Sequence, residues 1–336
     1  MTVVGPFGLS VRDQALEAGV QTGLAAVESG LLDATKSSVP FITEAAQHLI
    51  RAGGKRFRPL LAMLAAQFGD PDAPGVVPAA VVVELTHLAT LYHDDVMDEA
   101  EVRRGVPSAN TRWGNSVAVL TGDFLFSRAS HILADLGPEA VRIQAEAFER
   151  LVTGQILETA GPGEGADPVE HYLEVLRGKT GSLVAVACRF GAMTAGADES
   201  AIDVLTQYGE WLGVAFQLAD DVLDIASDSH ESGKTPGTDL REGIATLPVL
   251  HLRARAAAEG RPEDLELVEL LDGDLSDDAR HAEALRGLRA HPALEQARRD
   301  SVRYAEEARA TLTPLPDGYA KTALGELCDA VVHRAG

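Results

Sequence analysis

Residues 79–98 read AAVVVELTHLATLYHDDVMD, and the fold is decided in this stretch. Val81, Leu85, Leu88 and Tyr92 recur at spacings of three and four, which is one stripe of a 3.6-residue helix. Val81–Val83 alone is a β-branched run that would also suit a buried strand. Twenty residues without Gly or Pro exceed the usual length of a strand, so the segment is expected to be helical. The stripe ends in three carboxylates, Asp94, Asp95 and Asp98. On a helix Asp94 and Asp98 share a face about one turn apart, where like charges repel and destabilise.

The pattern returns 126 positions later, where Asp220, Asp221 and Asp224 form DDVLD after the apolar run WLGVAFQLA. A single such cluster in an acidic chain reads as a solvated helix face. Two copies, each closing an apolar helix, read instead as carboxylates held at the ends of core-facing helices. Hard cations such as Mg²⁺ offset the repulsion, because they take carboxylate oxygens and keep an open side for water and phosphate oxygens.

Composition sets the frame around these motifs. The chain has 336 residues, with 29 Lys+Arg against 51 Asp+Glu and a net charge of −22. That deficit of bases argues against nucleic acid as a partner and against adsorption to an anionic membrane surface. A hydrophobic content of 46% is enough for a large core. Cys188 and Cys328 are too few and too far apart for a disulfide framework, and a cytoplasmic location is expected. The start, MTVVGPFGLSVRD, lacks the basic segment of a secretory signal. No apolar run reaches about 18–20 uninterrupted residues, so no transmembrane segment is expected. Gly/Pro/Asp clusters at Gly69–Gly75, Gly161–Pro168, Asp228–Gly237 and Leu271–Asp278 separate long Ala-, Leu- and Glu-rich segments. The organisation predicted is a single all-α domain over 1–336, with its motif-bearing core at about 40–255.

The scarce bases are grouped. Residues 51–59 read RAGGKRFRP, where Gly53 and Gly54 permit close backbone approach and Lys55 and Arg58 are placed to clamp a polyanion. A helix C-terminus stopped by Gly, with bases complementing its dipole, explains the same letters equally well. Arg103 and Arg104 follow the first aspartate cluster, Lys179-Thr180 lies in RGKTGSL and Lys234 in SGKTPGTDL. Neither lysine segment has the spacing of a nucleotide P-loop. Lone lysines with two aspartate clusters suit a diphosphate held through Mg²⁺ and positive side chains.

Taken together the motifs resemble the trans-type (all-E) isoprenyl diphosphate synthases. GGKRFRP (53–59), ELTHLATLYHDDVMDEAEVRRG (84–105), TGDFLF (121–126), Gly154–Gln155, GKTGSL (178–183), FQLADDVLD (216–224) and GKTPGTDLREGIATLP (233–248) occur in the family's order and spacing. The resemblance implies an all-α isoprenoid-synthase-type bundle around a central cavity, a homodimer, and about three Mg²⁺ per site, with Mn²⁺ able to substitute. It implies head-to-tail condensation of isopentenyl diphosphate onto an allylic diphosphate (geranyl, farnesyl or geranylgeranyl). By the same resemblance Asp94, Asp98 and Asp220 are direct metal ligands, supported by Asp95, Asp221, Asp224 and Asp239. Lys55, Arg58, His87 and Arg104 match the isopentenyl diphosphate site. Arg103, Lys179 and Lys234 match the allylic clamp, with Thr180 and Gln217 at the reacting region. Without the motif, His87 on an apolar helix would read as a core histidine.

Two alternatives keep the helices and change the activity. A class I terpene cyclase would need no isopentenyl diphosphate site, yet GGKRFRP, His87 and Arg104 are intact. A non-catalytic partner subunit would be expected to lack aspartates, yet both clusters are complete. Product length is read from the turn before Asp94, because one turn rises about 5.4 Å, comparable to an isoprene unit. Ala89 and Thr90 stand there and are small, while Phe124 and Phe126 offer a floor from another segment. The expectation is a product longer than C20, with a shorter farnesyl or geranylgeranyl product as the alternative. Ala89→Phe should shorten the products, read by chromatography after dephosphorylation. An unchanged distribution would mean that another side chain sets the length.

Overall fold

The structure is a computed structural model that describes residues 3–4, 9–10, 13–227 and 236–333, with side chains from residue 13 onward. The all-α expectation holds. The only strands among the described residues are two short antiparallel pairs, β1 (Val3–Val4) with β2 (Leu9–Ser10) and β3 (Val102–Arg103) with β4 (Val106–Pro107).

The first half of the chain forms α1 (Gln14–Ala34), α2 (Pro40–Arg51), α3 (Phe57–Ala65), α4 (Val76–Met97), α5 (Ala109–Trp113), α6 (Asn115–Leu136) and α7 (Pro138–Ala160). There follow α8 (Pro168–Leu176), a π-turn (Arg177–Gly181), α9 (Ser182–Thr194) and α10 (Glu199–Ala226). The remainder comprises α11 (Thr238–Arg241), α12 (Leu247–Glu259), α13 (Pro262–Leu271), α14 (Asp278–Ala290), α15 (Pro292–Thr311) and α16 (Tyr319–His333). Starts follow local chemistry. Asp13 and Asp167 accept backbone N–H groups of α1 and α8 at 2.7 and 2.9 Å, and Pro168 opens α8 where its missing N–H costs nothing.

The helices gather into two compact units. The first holds residues 1–149, 183–209 and 312–324, and the second holds 150–182, 210–311 and 325–336.

In the first unit α4 is the central helix, packed on α1, α3, α5 and, most extensively, α6. Val82, Val83, Leu85, Leu88, Ala89 and Tyr92 are fully buried. The Tyr92 hydroxyl donates to the Ala45 carbonyl at 2.6 Å, so the one polar atom of that ring is satisfied. By length and composition α4 would also cross a membrane, but 67% of its apolar stretch is already buried in the protein, as in any long core helix. It is the sole candidate of that kind among the described residues. The apolar sequence that hydropathy flags is thus the interior of the bundle.

Small residues set other spacings in this unit. A Cβ built on Gly191 of α9 would lie 2.1 Å from the Ala62 carbonyl of α3, and one on Gly209 of α10 would lie 2.7 Å from the Ala185 backbone. In the second unit α12 packs on α13, α15 and α8, and α14 packs on α13 and α15. The buried carboxylate of Asp264 there accepts from Arg255 at 3.0 Å and faces His291 at 3.1 Å.

The Gly191 contact is backbone to backbone and has no side chain to give way. Gly191→Ala should therefore cost more than the ~1–3 kcal/mol typical of overpacking. Denaturant or thermal unfolding measures this, and a midpoint equal to wild type would contradict the crossing.

Candidate active site

The loop between α2 and α3 carries the basic motif, and its shape depends on Arg56. Gly53 and Gly54 have φ of 91° and 154°, and Arg56 sits at φ 48°, a conformation unfavourable for a residue with a Cβ. The guanidinium of Arg56 holds it there. It donates to both Glu28 oxygens at 2.7 and 2.9 Å, to Glu84 at 3.0 Å and to the Ile50 carbonyl at 3.0 Å. Glu84 is buried on α4, so this pair lies inside the fold. Arg56 is the base the sequence reading did not assign, and it serves the loop rather than a ligand. A side chain at Gly54 would approach the Arg104 guanidinium to 2.9 Å, which accounts for the second glycine.

The assigned bases are arranged around that strut. Arg104 donates to the Leu49 carbonyl at 2.8 Å and also to the Gly53 carbonyl. Arg58 is half-buried, and its Nε is fully buried with no partner. Burial pushes the Arg58 pKa down to about 10, against the attraction of Glu84 and with the help of Arg104. Burial first, and then Arg58, Arg104, Arg103 and Arg56, hold His87 well below the usual histidine range. His87 is therefore neutral at neutral pH beside several guanidinium groups. Lys55 is exposed on the same loop. Arg58, His87 and Arg104 are thus brought together in a positive corner with an unsatisfied donor.

Arg103 and Arg104 owe their divergence to a hairpin that the sequence reading missed. β3 and β4 pair Arg103 with Val106, and the two residues between, Arg104 and Gly105, have φ of 53° and 76°. Positive φ at both central positions is the type I′ pattern, normally signalled by Asn-Gly or Asp-Gly. Here the signal is Arg-Gly, and the strands are two residues long. The turn sends Arg103 back to Asp95, whose Oδ1 accepts from its Nε at 2.6 Å, while Arg104 goes to the loop.

The first aspartate cluster divides by direction. Asp98 caps the end of α4, its N–H bonded to the Asp94 carbonyl at 2.8 Å, so helical spacing persists through the motif. Asp94 is half-exposed and Asp98 exposed, whereas Asp95 is fully buried. Burial holds Asp95 above the usual carboxylate range, with Arg103 opposing. Its Oδ2 has no partner. Among the described residues no three His, Cys, Asp or Glu side chains are assembled into a ready cage.

The residues read as a length gauge do not share one wall. Thr90 is half-buried, and its hydroxyl donates to the His87 carbonyl at 2.8 Å. Ala89 is fully buried and lies roughly 140° around the helix from Asp94. On α6, Phe124 is half-buried near Arg128, 6.0 Å from its ring centroid. Phe126 instead packs on Phe148 with ring centroids 4.4 Å apart and planes inclined at 60°, and approaches His93 at 5.9 Å, beside the aspartate end of α4.

The second unit holds the other cluster. Here α7 crosses the π-turn at two glycines. A Cβ on Gly154 would meet the Lys179 nitrogen at 2.7 Å, and one on Gly178 would meet the Arg150 carbonyl at 2.8 Å. Lys179 pairs with Glu158 at 2.6 Å. The Thr180 hydroxyl donates to Gln217 Oε1 at 3.5 Å, and Gln217 Nε2 donates to Asp221 Oδ1 at 3.2 Å. Tyr172 of α8 donates to Asp221 Oδ2. Burial, opposed by these donors and joined by Asp239 and Asp220, pushes Asp221 up to about 8. Asp220 and Asp224 are half-exposed. Asp224 accepts the backbone N–H groups of Thr238 and Asp239 at 3.2 Å each, which anchors α11. Lys234 lies outside the described residues.

With this geometry in place, comparisons with known proteins agree on one class. The polyprenyl synthetase family model matches residues 39–286. A nonaprenyl diphosphate synthase of Mycobacterium tuberculosis is 48% identical over 330 residues, covering 98% of this chain and 97% of that protein. A solved geranylgeranyl pyrophosphate synthase of Corynebacterium glutamicum, complexed with calcium and isoprenyl diphosphate, is 46% identical with a TM-score of 0.87. It is matched over 98% of this chain and all of its own. A decaprenyl diphosphate synthase of Rhodobacter capsulatus is 36% identical with a TM-score of 0.85, over 96% and 99% of the two chains. The chain belongs to the polyprenyl synthetase family. It is a prenyltransferase with the family's all-α isoprenoid synthase fold.

The internal Arg56–Glu84 pair makes a specific demand. Glu84→Ala leaves Arg56 partly uncompensated and should destabilise the protein by about 3–5 kcal/mol in urea unfolding. A loss below 1 kcal/mol would show that Glu28 alone holds the loop.

Proposed function

We propose that the chain condenses isopentenyl diphosphate head-to-tail with an allylic diphosphate and releases an all-trans polyprenyl diphosphate longer than C20. The observation that carries this is the segment 53–58, the loop before α3 and its first turn. One arginine is neutralised inside the fold, while Arg58 keeps a buried Nε without a partner beside Arg104 and neutral His87. Such a corner suits a second diphosphate, which a cyclase acting on one allylic substrate does not need.

Lys55, Arg58 and Arg104 bind the isopentenyl diphosphate, and neutral His87 donates a hydrogen bond without adding charge. Arg103, Lys179 and Lys234 bind the allylic diphosphate, and Thr180 and Gln217 line its reacting end. The allylic C–O bond breaks, the isopentenyl π-bond attacks the resulting cation, and the departing diphosphate takes the proton that is lost. The cation must be kept from water, and the Phe126–Phe148 pair supplies an apolar wall beside α4.

The donor set fits hard divalent cations, because every candidate ligand is a carboxylate and buried Asp95 Oδ2 lacks a partner. Asp94, Asp98 and Asp220 would hold Mg²⁺ (about three ions, Mn²⁺ being an acceptable substitute), with Asp95, Asp221, Asp224 and Asp239 behind them. Bound there, the metal supplies stabilisation of the charge that develops on the leaving diphosphate. Inside the chain, Asp95 and Asp221 are held by Arg103 and by Tyr172 and Gln217, so they orient rather than reach outward.

Nonaprenyl and decaprenyl relatives support a long product, and Thr90, on the Asp94 face of α4, leaves room for it. The geranylgeranyl enzyme among the solved relatives makes C20 the alternative. A cytoplasmic homodimer completes the proposal. For the dimer, the support is the exposed apolar pair Val119 and Leu120 on α6, 39% and 65% accessible.

The test is purified protein with Mg²⁺, labelled isopentenyl diphosphate and geranyl, farnesyl or geranylgeranyl diphosphate. Extended diphosphates beyond C20 are expected, and Asp94→Ala should lower the rate by about 10²-fold or more. No incorporation with any primer refutes the activity. Products ending at C20 would refute only the length.

A further inference from the structure

Tyr172 stands apart from the residues assigned above, yet it is joined to them by an unbroken line of hydrogen bonds. Thr180 donates to Gln217 at 3.5 Å, Gln217 donates to Asp221 at 3.2 Å, and Tyr172 donates to the other Asp221 oxygen. The line converges on one carboxylate, Asp221, which takes a donor on each oxygen and is 2% exposed. Three elements meet there: α8 brings Tyr172, the π-turn brings Thr180, and α10 brings Gln217 and Asp221.

We propose that Tyr172 is a positioning residue for the reaction, holding Asp221 in the orientation that aims Gln217 at Thr180. The proposal rests on the prenyltransfer reading above. A carboxylate rotates freely about its last bond unless both oxygens are engaged. With the phenol in place, Oδ2 is taken, and Oδ1 is left to fix the Gln217 amide with its N–H inward and its carbonyl toward Thr180. Without it, a buried Oδ2 loses its donor, and the cheapest remedy is for Asp221 or Gln217 to turn. Gln217 then loses its aim. Asp220, adjacent in sequence and outward-facing, is left on a helix end with a loosened neighbour. The isopentenyl diphosphate residues Lys55, Arg58, His87 and Arg104 have no part in this line.

Tyr172→Phe removes the hydroxyl and keeps the ring. Three measurements are made on the full chain: thermal midpoint, steady-state constants for both substrates, and Mn²⁺ affinity with inorganic diphosphate by paramagnetic resonance. Expected are a midpoint within a few degrees of wild type and kcat lowered about tenfold. KM for isopentenyl diphosphate should change less than twofold, and Mn²⁺–diphosphate affinity should weaken severalfold. Gln217→Leu should lower kcat by itself, and adding Tyr172→Phe to it should cost nothing more.

Additive losses, or unchanged kcat and Mn²⁺ affinity in Tyr172→Phe, overturn the proposal. So does a variant that loses its fold or shifts both KM values together, since either outcome assigns the hydroxyl a purely structural role. The Mn²⁺ measurement needs no turnover. A wild type that fails to incorporate isopentenyl diphosphate therefore sinks the proposed activity, whereas unchanged Mn²⁺ affinity sinks the role of Tyr172.

Discussion

The Arg56 guanidinium ties together α1 through Glu28, α4 through Glu84 and the loop that opens α3. A base buried among acids carries a large desolvation cost unless its hydrogen bonds are all made, and here several are. The consequence is a backbone that holds a positive φ at a non-glycine residue. With Arg56 occupied internally, Lys55 stays exposed on a fixed loop and Arg58, half-buried at the start of α3, keeps a buried Nε without a partner. The positive corner thus depends on an ion pair that itself binds nothing.

A second constraint is the concentration of like charge at the ends of α4 and α10. The chain meets it in each unit by turning one carboxylate inward. Asp95 is buried against Arg103, and Asp221 is buried against Tyr172 and Gln217. The partners differ in kind, one a cation and the other two neutral donors. That difference appears in the titration behaviour, since burial raises both groups but only Asp95 has a formal positive charge in opposition. Asp224 is drawn off in a third way, accepting backbone N–H groups at the start of α11. Asp94, Asp98 and Asp220 remain the more outward members of the two clusters.

Much of this was legible in the sequence, for identifiable reasons. Helical periodicity over 79–98 is strong because α4 is buried on most sides, and twenty residues without Gly or Pro leave few other solutions. The aspartate clusters stood out because the same spacing recurs after two apolar helices, whereas the roles of the lysines and arginines came from the family resemblance alone. What escaped has weak or absent local signals. The Arg104-Gly105 turn lacks the usual Asn or Asp, and its strands are too short to alternate. The π-turn has no letter code, and the glycine it packs against, Gly154 of α7, lies twenty-four positions from Gly178 in sequence. Arg56 and Glu84 look no different in the alphabet from Lys55 or Glu99. Only packing separates the strut from the site. Tyr172 was unreadable because its partner is on another helix.

The π-turn has a consequence for the chain's tolerance of length changes. A π-turn holds one more residue than the α-helical turn it replaces. Segment 172–180 therefore encodes its geometry by residue number as well as residue type. Losing any single residue there would let a regular α-helical turn form and remove the widened turn that carries Lys179 and Thr180. Substitutions that keep the glycines can drift, but insertions and deletions cannot. The register of this short stretch is as much a part of the site as its side chains.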